Sequence, residues 1–312
     1  MKKGKLFVLF MLFLLILLFQ GKNPNTTLGL KNELSTPLMT IKDISSPLSE
    51  SISSNLTKFG YSAQAPIYIP NNTALMSAGF PGSGSEVDPY RLENYNITSD
   101  LRVLIHIKNT TSHFIIQHSL LNGVDNDYSG IVLENVINGR VYNTTIQYCF
   151  NGIELQHSNS NVVDYNTIHK NGKTSAKPIS GGSGIYLTSN FNTITNNNIE
   201  ENLWYGVNIS SSSSENNTVK ENCFKNNGGT SSQAYDNGAN NTFIYNYWDD
   251  WISGYYSIDG SANNNDTSPL AICPTDVPNG TPSMTFPIVI SSLLIIVIFV
   301  KVRSKHRKSK NE

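Results

Sequence analysis

An all-β solenoid of short parallel strands, about seven coils long, is the fold class that the sequence predicts. Three observations carry it: a repeat of 22 to 25 residues, apolar-x-apolar alternation inside each repeat, and a surplus of asparagine at fixed places within it. Asparagine accounts for 40 of the 312 residues, while only 14% are charged and 38% are hydrophobic. That composition excludes a nucleic-acid binder with a basic body, a Lys/Glu-rich coiled coil and an ordinary cytosolic helical protein. The net charge of −1 hides a division, because 9 of the 22 basic residues sit at Lys2, Lys3, Lys5 and after Val300. Residues 6–300 carry 13 Lys/Arg against 22 Asp/Glu, a balance of −9.

In chain order, the first element is an uncharged run of 14 residues, Leu6 to Phe19, behind three lysines. At ~1.5 Å per residue it is about 21 Å long, short for a bilayer core of roughly 30 Å. Residues 1–21 therefore read as a secretory signal peptide; since no small-x-small site follows at Phe19-Gln20-Gly21, a retained signal anchor is the alternative. Residues 22–64, rich in Ser, Thr, Asn and Pro, read as a flexible extracellular segment.

Residues 65–272 carry the solenoid and its caps. The N-terminal cap is expected over 65–90: a strand Pro66-Ile67-Tyr68-Ile69, a brief helix from Ala74 to Ala78 with Asn72 as N-cap, and a Gly/Ser turn. Apolar pairs five residues apart then recur as Leu92/Ile97, Ile116/Leu121, Val141/Ile146, Val163/Ile168, Ile194/Ile199, Val219/Phe224 and Phe243/Trp248. The second members are separated by 24, 25, 22, 31, 25 and 24 residues; a Lys, Ser and Gly-rich insertion over 173–182, expected as a loop, accounts for the 31. Between the pairs lies a second column, Gly130-Ile131-x-Leu133, Gly152-Ile153-x-Leu155, Gly184-Ile185-x-Leu187 and Gly206-Val207-x-Ile209. Period-2 alternation marks strands with one buried face, and strands this short must stack on their neighbours. A propeller is excluded because its blades need ~40 or more residues.

Asparagine tolerates the turn conformations at coil corners, and its amide can donate to one coil while accepting from another. Two ladders are expected at the coil spacing of ~4.8 Å: Asn166, Asn197, Asn222 and Asn246, and Asn171, Asn202 and Asn227 with Cys149 in the same register. Cys149 is accordingly an inward or turn-packed thiol. At the far end, Tyr247 to Trp251 and the Tyr-rich stretch Gly254 to Ile258 supply aromatics for a cap or for a sugar-stacking platform, with Trp251, Tyr255 and Tyr256 as platform residues.

Residues 273–283 form a spacer before Val277–Val300, 24 residues without a charge. A transmembrane helix is expected over 284–302 and a basic cytoplasmic tail over 303–312, because six Lys/Arg follow the run at once. The solenoid would then lie outside the cytoplasm, with the membrane as one partner. Eleven Asn-x-Ser/Thr sequons agree with that placement; the glycosylation candidates are Asn96, Asn109, Asn143, Asn208, Asn216, Asn240, Asn265 and Asn279. Three cysteines (Cys149, Cys223, Cys273) allow one pair and leave one thiol over.

The entry segment Pro66-Ile67-Tyr68-Ile69 with Gly82-Ser83-Gly84-Ser85-Glu86-x-Asp88-Pro89-Tyr90-x-Leu92-Glu93-x-Tyr95-x-Ile97, the coil lettering and the exit Asn246-Tyr247-Trp248-x-Asp250 resemble one known family. This is the NosD-like group of right-handed parallel β-helix proteins, built from PbH1 repeats, and the likeness covers residues 65 to 270. The resemblance implies a right-handed coil, a capping role for Asp250, and relatives that bind or cleave carbohydrate. With signal and anchor, the chain is most similar to an archaeal cell-surface protein.

Chemistry beyond the fold is sparse in the sequence. Glu154, Asp164, Glu200, Glu201, Glu215 and Glu221 are scattered along the coils. Asp249 and Asp250, as neighbours on a strand, are expected to point to opposite faces. Asp125 and Asp127 could offer oxygens to Ca²⁺, but the loop lacks the Gly and bidentate Glu of a calcium hand, and an ordinary turn is the simpler reading. The histidines have no ligand spacing and no Met-rich or Cys/His cluster, so the copper-maturation role of the group's namesake does not carry over. No cofactor, no catalytic residue and no nucleic-acid partner is expected. The function expected is a membrane-anchored module for recognising polysaccharide or surface glycoprotein; a polysaccharide lyase or hydrolase and a passive surface spacer are the alternatives.

Overall fold

The computed structural model describes residues 60–124, 127–172, 182–228 and 231–276. The expected signal, nearly all of segment 22–64, the insertion at 173–181, the membrane helix 284–302 and the basic tail lie outside these residues. Among the described residues, no helix is long and apolar enough to cross a membrane.

Each coil lays down three short strands, one in each of three parallel sheets. One coil shows the plan: Thr145–Gln147 in sheet A, Ile153–Gln156 in sheet B and Val162–Asp164 in sheet C, followed by Thr167–His169 back in sheet A. The sheets hold 8, 7 and 9 strands respectively. The solenoid starts slightly earlier than expected, because Ser62–Ala63 already pairs in parallel with Tyr95–Asn96.

Alternation places every second side chain inward, and coil-to-coil register stacks like on like. In sheet A, Ile97, Leu121, Ile146, Ile168, Ile199, Phe224 and Trp248 form one buried column. In sheet C, Leu92, Ile116, Val141, Val163, Ile194, Val219 and Phe243 form another. All fourteen predicted anchors are thus core residues, each burying ~1.5–3 kcal/mol of side-chain transfer energy for an aliphatic or aromatic of this size. The glycine before each of the four middle sheet B strands, at 130, 152, 184 and 206, makes close approach possible: a Cβ on Gly152 would lie 2.6 Å from both the Gly184 carbonyl oxygen and a methyl of Ile168.

The corners explain the asparagine surplus. At all three, a residue in the left-handed region turns the chain and the next residue is buried. Asn143, Tyr165, Asn196, Glu221 and Tyr245 turn one corner, with φ between 43° and 58°. Behind them, Asn166, Asn197 and Asn222 each donate from Nδ2 to Oδ1 of the next coil's asparagine at 2.9–3.1 Å, and each backbone N–H donates to the same oxygen. The second expected ladder is present too: Asn171 to Asn202 at 2.9 Å and Asn202 to Asn227 at 2.8 Å, with the Cys149 N–H donating to Asn171. A third ladder, not foreseen, runs Asn161, Asn192, Asn217, Asn241 at the remaining corner.

All three ladders end on carboxylates. Asn246 donates to Asp266, and Asn241 to Asp236. Asn227 donates to Gln233 Oε1, whose Nε2 reaches Asp249 at 2.6 Å and Asp250 at 2.8 Å. The expectation that Asp249 and Asp250 face apart is therefore corrected: they lie in the turn after strand Tyr247–Trp248, where strand alternation no longer holds.

The ends are capped differently. At the N-terminal end, the helix Asn72–Ser77 buries Leu75. Its N-cap is Asn71, whose side chain accepts from the Ala74 N–H, and not Asn72. Asn72 instead pins the cap to the first full coil, accepting from the N–H groups of Thr111 and Ser112. At the C-terminal end, the ring of Trp248 stacks between Phe224 (4.2 Å) and Tyr256 (4.1 Å).

Candidate functional site

Ladders and core account for the inward side chains, so any recognition must use an outer face, and the three faces differ. The chain after Asn265–Asp266 returns along sheet A. Leu270 bridges Tyr247, Cys273 is disulfide-bonded to the outward-facing Cys223, and Lys225 pairs with Asp276 at 3.0 Å. This strap covers the C-terminal end of that face. Sheet C is occupied by its own contacts: Arg140 holds Asp164 through Nε and Nη2 and lies over the Tyr142 ring at 4.5 Å.

Sheet B carries the most varied outward set. One register column runs Tyr68, His106, Val132, Glu154, Tyr186, Asn208, Tyr235 and Asp259. Beside it run Lys108, Glu134, Gln156 and Thr188. In the N-terminal half, Glu134 accepts from Lys108 at 3.0 Å and faces His106 Nε2 at 3.2 Å, and Tyr68 meets His106 edge-on. Burial pushes the Glu134 carboxyl up, but Lys108 and His106 more than reverse this and hold it below the usual range; Glu134 in turn holds Lys108 above its ordinary value. Glu154 accepts from Ser129 (2.6 Å) and Gln156 (2.7 Å). Two carboxylates, a lysine and a histidine thus share this stretch, each carboxylate already engaged.

In the C-terminal half the face becomes aromatic. Tyr186 takes a hydrogen bond from Ser210 at 2.6 Å, and the rings of Trp204, Tyr205 and Tyr235 follow one another at 5.1 Å steps. Asp259 accepts from Tyr205 (3.2 Å) and Ser231 (2.9 Å). Asn208 lies between Tyr186 and Tyr235 in register, 1% exposed, with Oδ1 lacking a hydrogen-bond partner.

The residues singled out from sequence fall in several places. Tyr256 is buried in the end stack, its OH donating to Asp250 and accepting from the Gln233 N–H, so it builds the cap and presents no platform. Trp251 packs partly against the core with its indole N–H on the Gly254 carbonyl, and Tyr255 is exposed beside it. Asp125 lies outside the described residues and Asp127 is exposed. Of the sequons, Asn109, Asn143, Asn216 and Asn240 are exposed at left-handed corners, and Asn96 and Asn265 are half-buried. Burial removes Asn208 from reach in the folded chain, and Asn279 lies outside the described residues. Cys149 is buried, which pushes its thiol up to about 12. Among the described residues, the one group with metal-ligand spacing is Cys223, Cys273 and Asp276, and the disulfide removes both thiolates from it.

Sheet B's aromatic run was missed in the sequence because Tyr186, the pair Trp204-Tyr205, and Tyr235 sit on three different coils. The signal that could have found them was the register itself, which aligns Tyr186, Asn208 and Tyr235 once the Gly-Ile-x-Leu column is laid coil on coil.

Neither curated proteins nor solved structures gave a match to this chain. A family model described as right handed beta helix region matches residues 82–247, from the turn before the first sheet C strand to the strand that ends sheet A. Continuous parallel sheets, stacked coils and a match over more than half of the sequence lead to one assignment: the chain belongs to the right-handed β-helix family.

Proposed function

We propose that this protein is a membrane-anchored, extracellular recognition module whose sheet B face binds polysaccharide or surface glycoprotein. The observation that carries the reading is a face with Trp204 exposed and Tyr186 and Tyr235 half-buried among half-buried Ser210, Gln156 and Thr188, since rings stack on sugar faces while hydroxyls and amides meet sugar hydroxyls. The disulfide supports a place outside the cytoplasm, where thiols are not kept reduced. The uncharged run 277–300 followed by basic residues supports the anchor. Entry and exit lettering support the NosD-like group and an archaeal surface setting.

A glycan array probed with the full chain in detergent tests the reading. Wild type is expected to retain a subset of glycans, and the double variant Tyr186→Ala, Tyr235→Ala to lose about tenfold or more in affinity, equivalent to ~1.4 kcal/mol. Absence of any retained glycan would sink it.

A second reading, cleavage of an anionic polysaccharide, draws on Glu134 and Glu154 facing outward beside His106 and Lys108. Assays with and without Ca²⁺ on wild type and on Glu134→Gln, Glu154→Gln decide it: turnover that the double variant abolishes would establish it.

A further inference from the structure

The C-terminal cap carries a feature that neither the ladders nor sheet B uses. Between strand Tyr247–Trp248 and strand Tyr256–Ser257, the loop presents Ile252, 92% exposed, and Tyr255, 64% exposed, with Trp251 partly exposed between them and the core. The stack Phe224, Trp248, Tyr256 runs along the solenoid, so this loop lies at its terminal end. The indole N–H of Trp251 is satisfied inside the loop by Gly254, which leaves the ring apolar toward the outside. The described chain leaves at Asp276, held to Lys225 one coil from the end. Seven residues, 277–283, separate that point from the apolar run beginning at 284, a reach of at most about 25 Å.

We infer that Trp251, Ile252 and Tyr255 insert into the headgroup region of the bilayer, standing the solenoid end-on upon a zwitterionic membrane surface. The inference rests on the anchored reading above. A short tether holds this end near the bilayer, and Trp and Tyr favour the interface, where ring and polar edge are both accommodated. Asp249 and Asp250 border the loop, so a zwitterionic surface suits it and an anionic one does not. Docking this end brings the whole rod upright and turns the sheet B face away from the lipid.

The chain has three tryptophans, which makes the test direct. The full chain is placed in phosphatidylcholine nanodiscs containing phosphatidylcholine brominated high on its acyl chains, and tryptophan fluorescence is compared with unbrominated discs. Quenching is expected in wild type, retained in Trp204→Phe and lost in Trp251→Phe. Because Trp251 also packs on the core, the variant Ile252→Asp, Tyr255→Ser keeps the reporter ring and is likewise expected to lose quenching. Absence of quenching in inserted wild type, equal quenching in Trp251→Phe, or burial of Trp251 between two copies detected by cross-linking would overturn the inference while leaving the anchor intact. Release of the chain from membranes at alkaline pH would overturn the anchor and this inference together.

Discussion

The N-terminal and C-terminal coils share one core plan but hold their corners differently. At the early corners, Ser119 and Thr144 donate their hydroxyl hydrogens to Gln117 and Tyr142, two residues back on the same coil, and Cys149 does the same to Gln147. From Asn166 onward the corner side chain has two hydrogens. Asn166 sends one contact to the Val141 carbonyl in the coil before and one to Asn197 in the coil after. A hydroxyl therefore closes a turn and takes at most one N–H from the coil before, as Ser119 does from Tyr95 at 3.2 Å, whereas an amide ties three coils together, and the C-terminal half is the more heavily cross-linked. The chain of donors must end on an acceptor that needs no donor of its own, and an ionised carboxylate meets that requirement.

The largest break in this contrast is expected at Asp266. It is fully buried and accepts from the Asn246 N–H, Asn246 Nδ2 and Trp248 Nε1, so Asp266→Ala strands three donors. A loss on the order of 3–5 kcal/mol is expected in denaturant unfolding. Next comes Cys223→Ser, which opens the bond closing a separation of 50 residues; a loss of ~2–4 kcal/mol is expected, reproduced by reductant in wild type and absent from reduced Cys223→Ser. Asn197→Ala should cost about 2–3 kcal/mol by leaving the Asn166 amide and N–H without Oδ1, while Ser119→Ala, which leaves only the part-buried Tyr95 N–H without its acceptor, costs about 1 kcal/mol. Thr144→Asn sharpens the comparison by extending the ladder one coil: if a second amide hydrogen is what distinguishes the halves, stability rises by up to ~1 kcal/mol, and a fall of similar size would show that the corner has no room for it.

The smallest effect concerns pH. The folded Glu134 carboxyl lies below its unfolded value, so its pairing with Lys108 and His106 stabilises the fold above the unfolded value, and that contribution is lost as pH falls through the folded one. Thermal melts of wild type and Glu134→Gln should differ slightly near neutrality and converge in acid. Persistence of the difference well below the ordinary carboxylate range would contradict the pairing.

Much of the fold could be read in advance because a stacked coil repeats its environment at a fixed interval. Ile116, Val141 and Val163 occupy one physical position, and their letters say so. The third ladder was legible by the same logic and was overlooked: Asn161, Asn192, Asn217 and Asn241 each stand two residues before an apolar anchor. What the sequence did not disclose is aperiodic. The pairing of Cys223 with Cys273 depends on how a single strap returns along sheet A, and the burial of Asp236 and Asp266 depends on their closing columns that occur once. Sheet B's outward residues were legible only as scattered polar and aromatic letters, because a face is assembled from a few residues per coil.

The strap also decides how the molecule bears load. Tension drawn through the chain beyond Asp276 does not pull on the last strand of the rod. It enters three residues earlier through the Cys273 sulfur and passes to Cys223, in a strand with neighbours on both sides. The intervening loop, which contains the Trp248 stack and the carboxylates that end the three ladders, is thereby bypassed by the force path. Pulled from its C-terminal side with the disulfide intact, the solenoid is gripped like a rod clamped one turn in from its tip, and the tip keeps its shape while the shaft takes the strain.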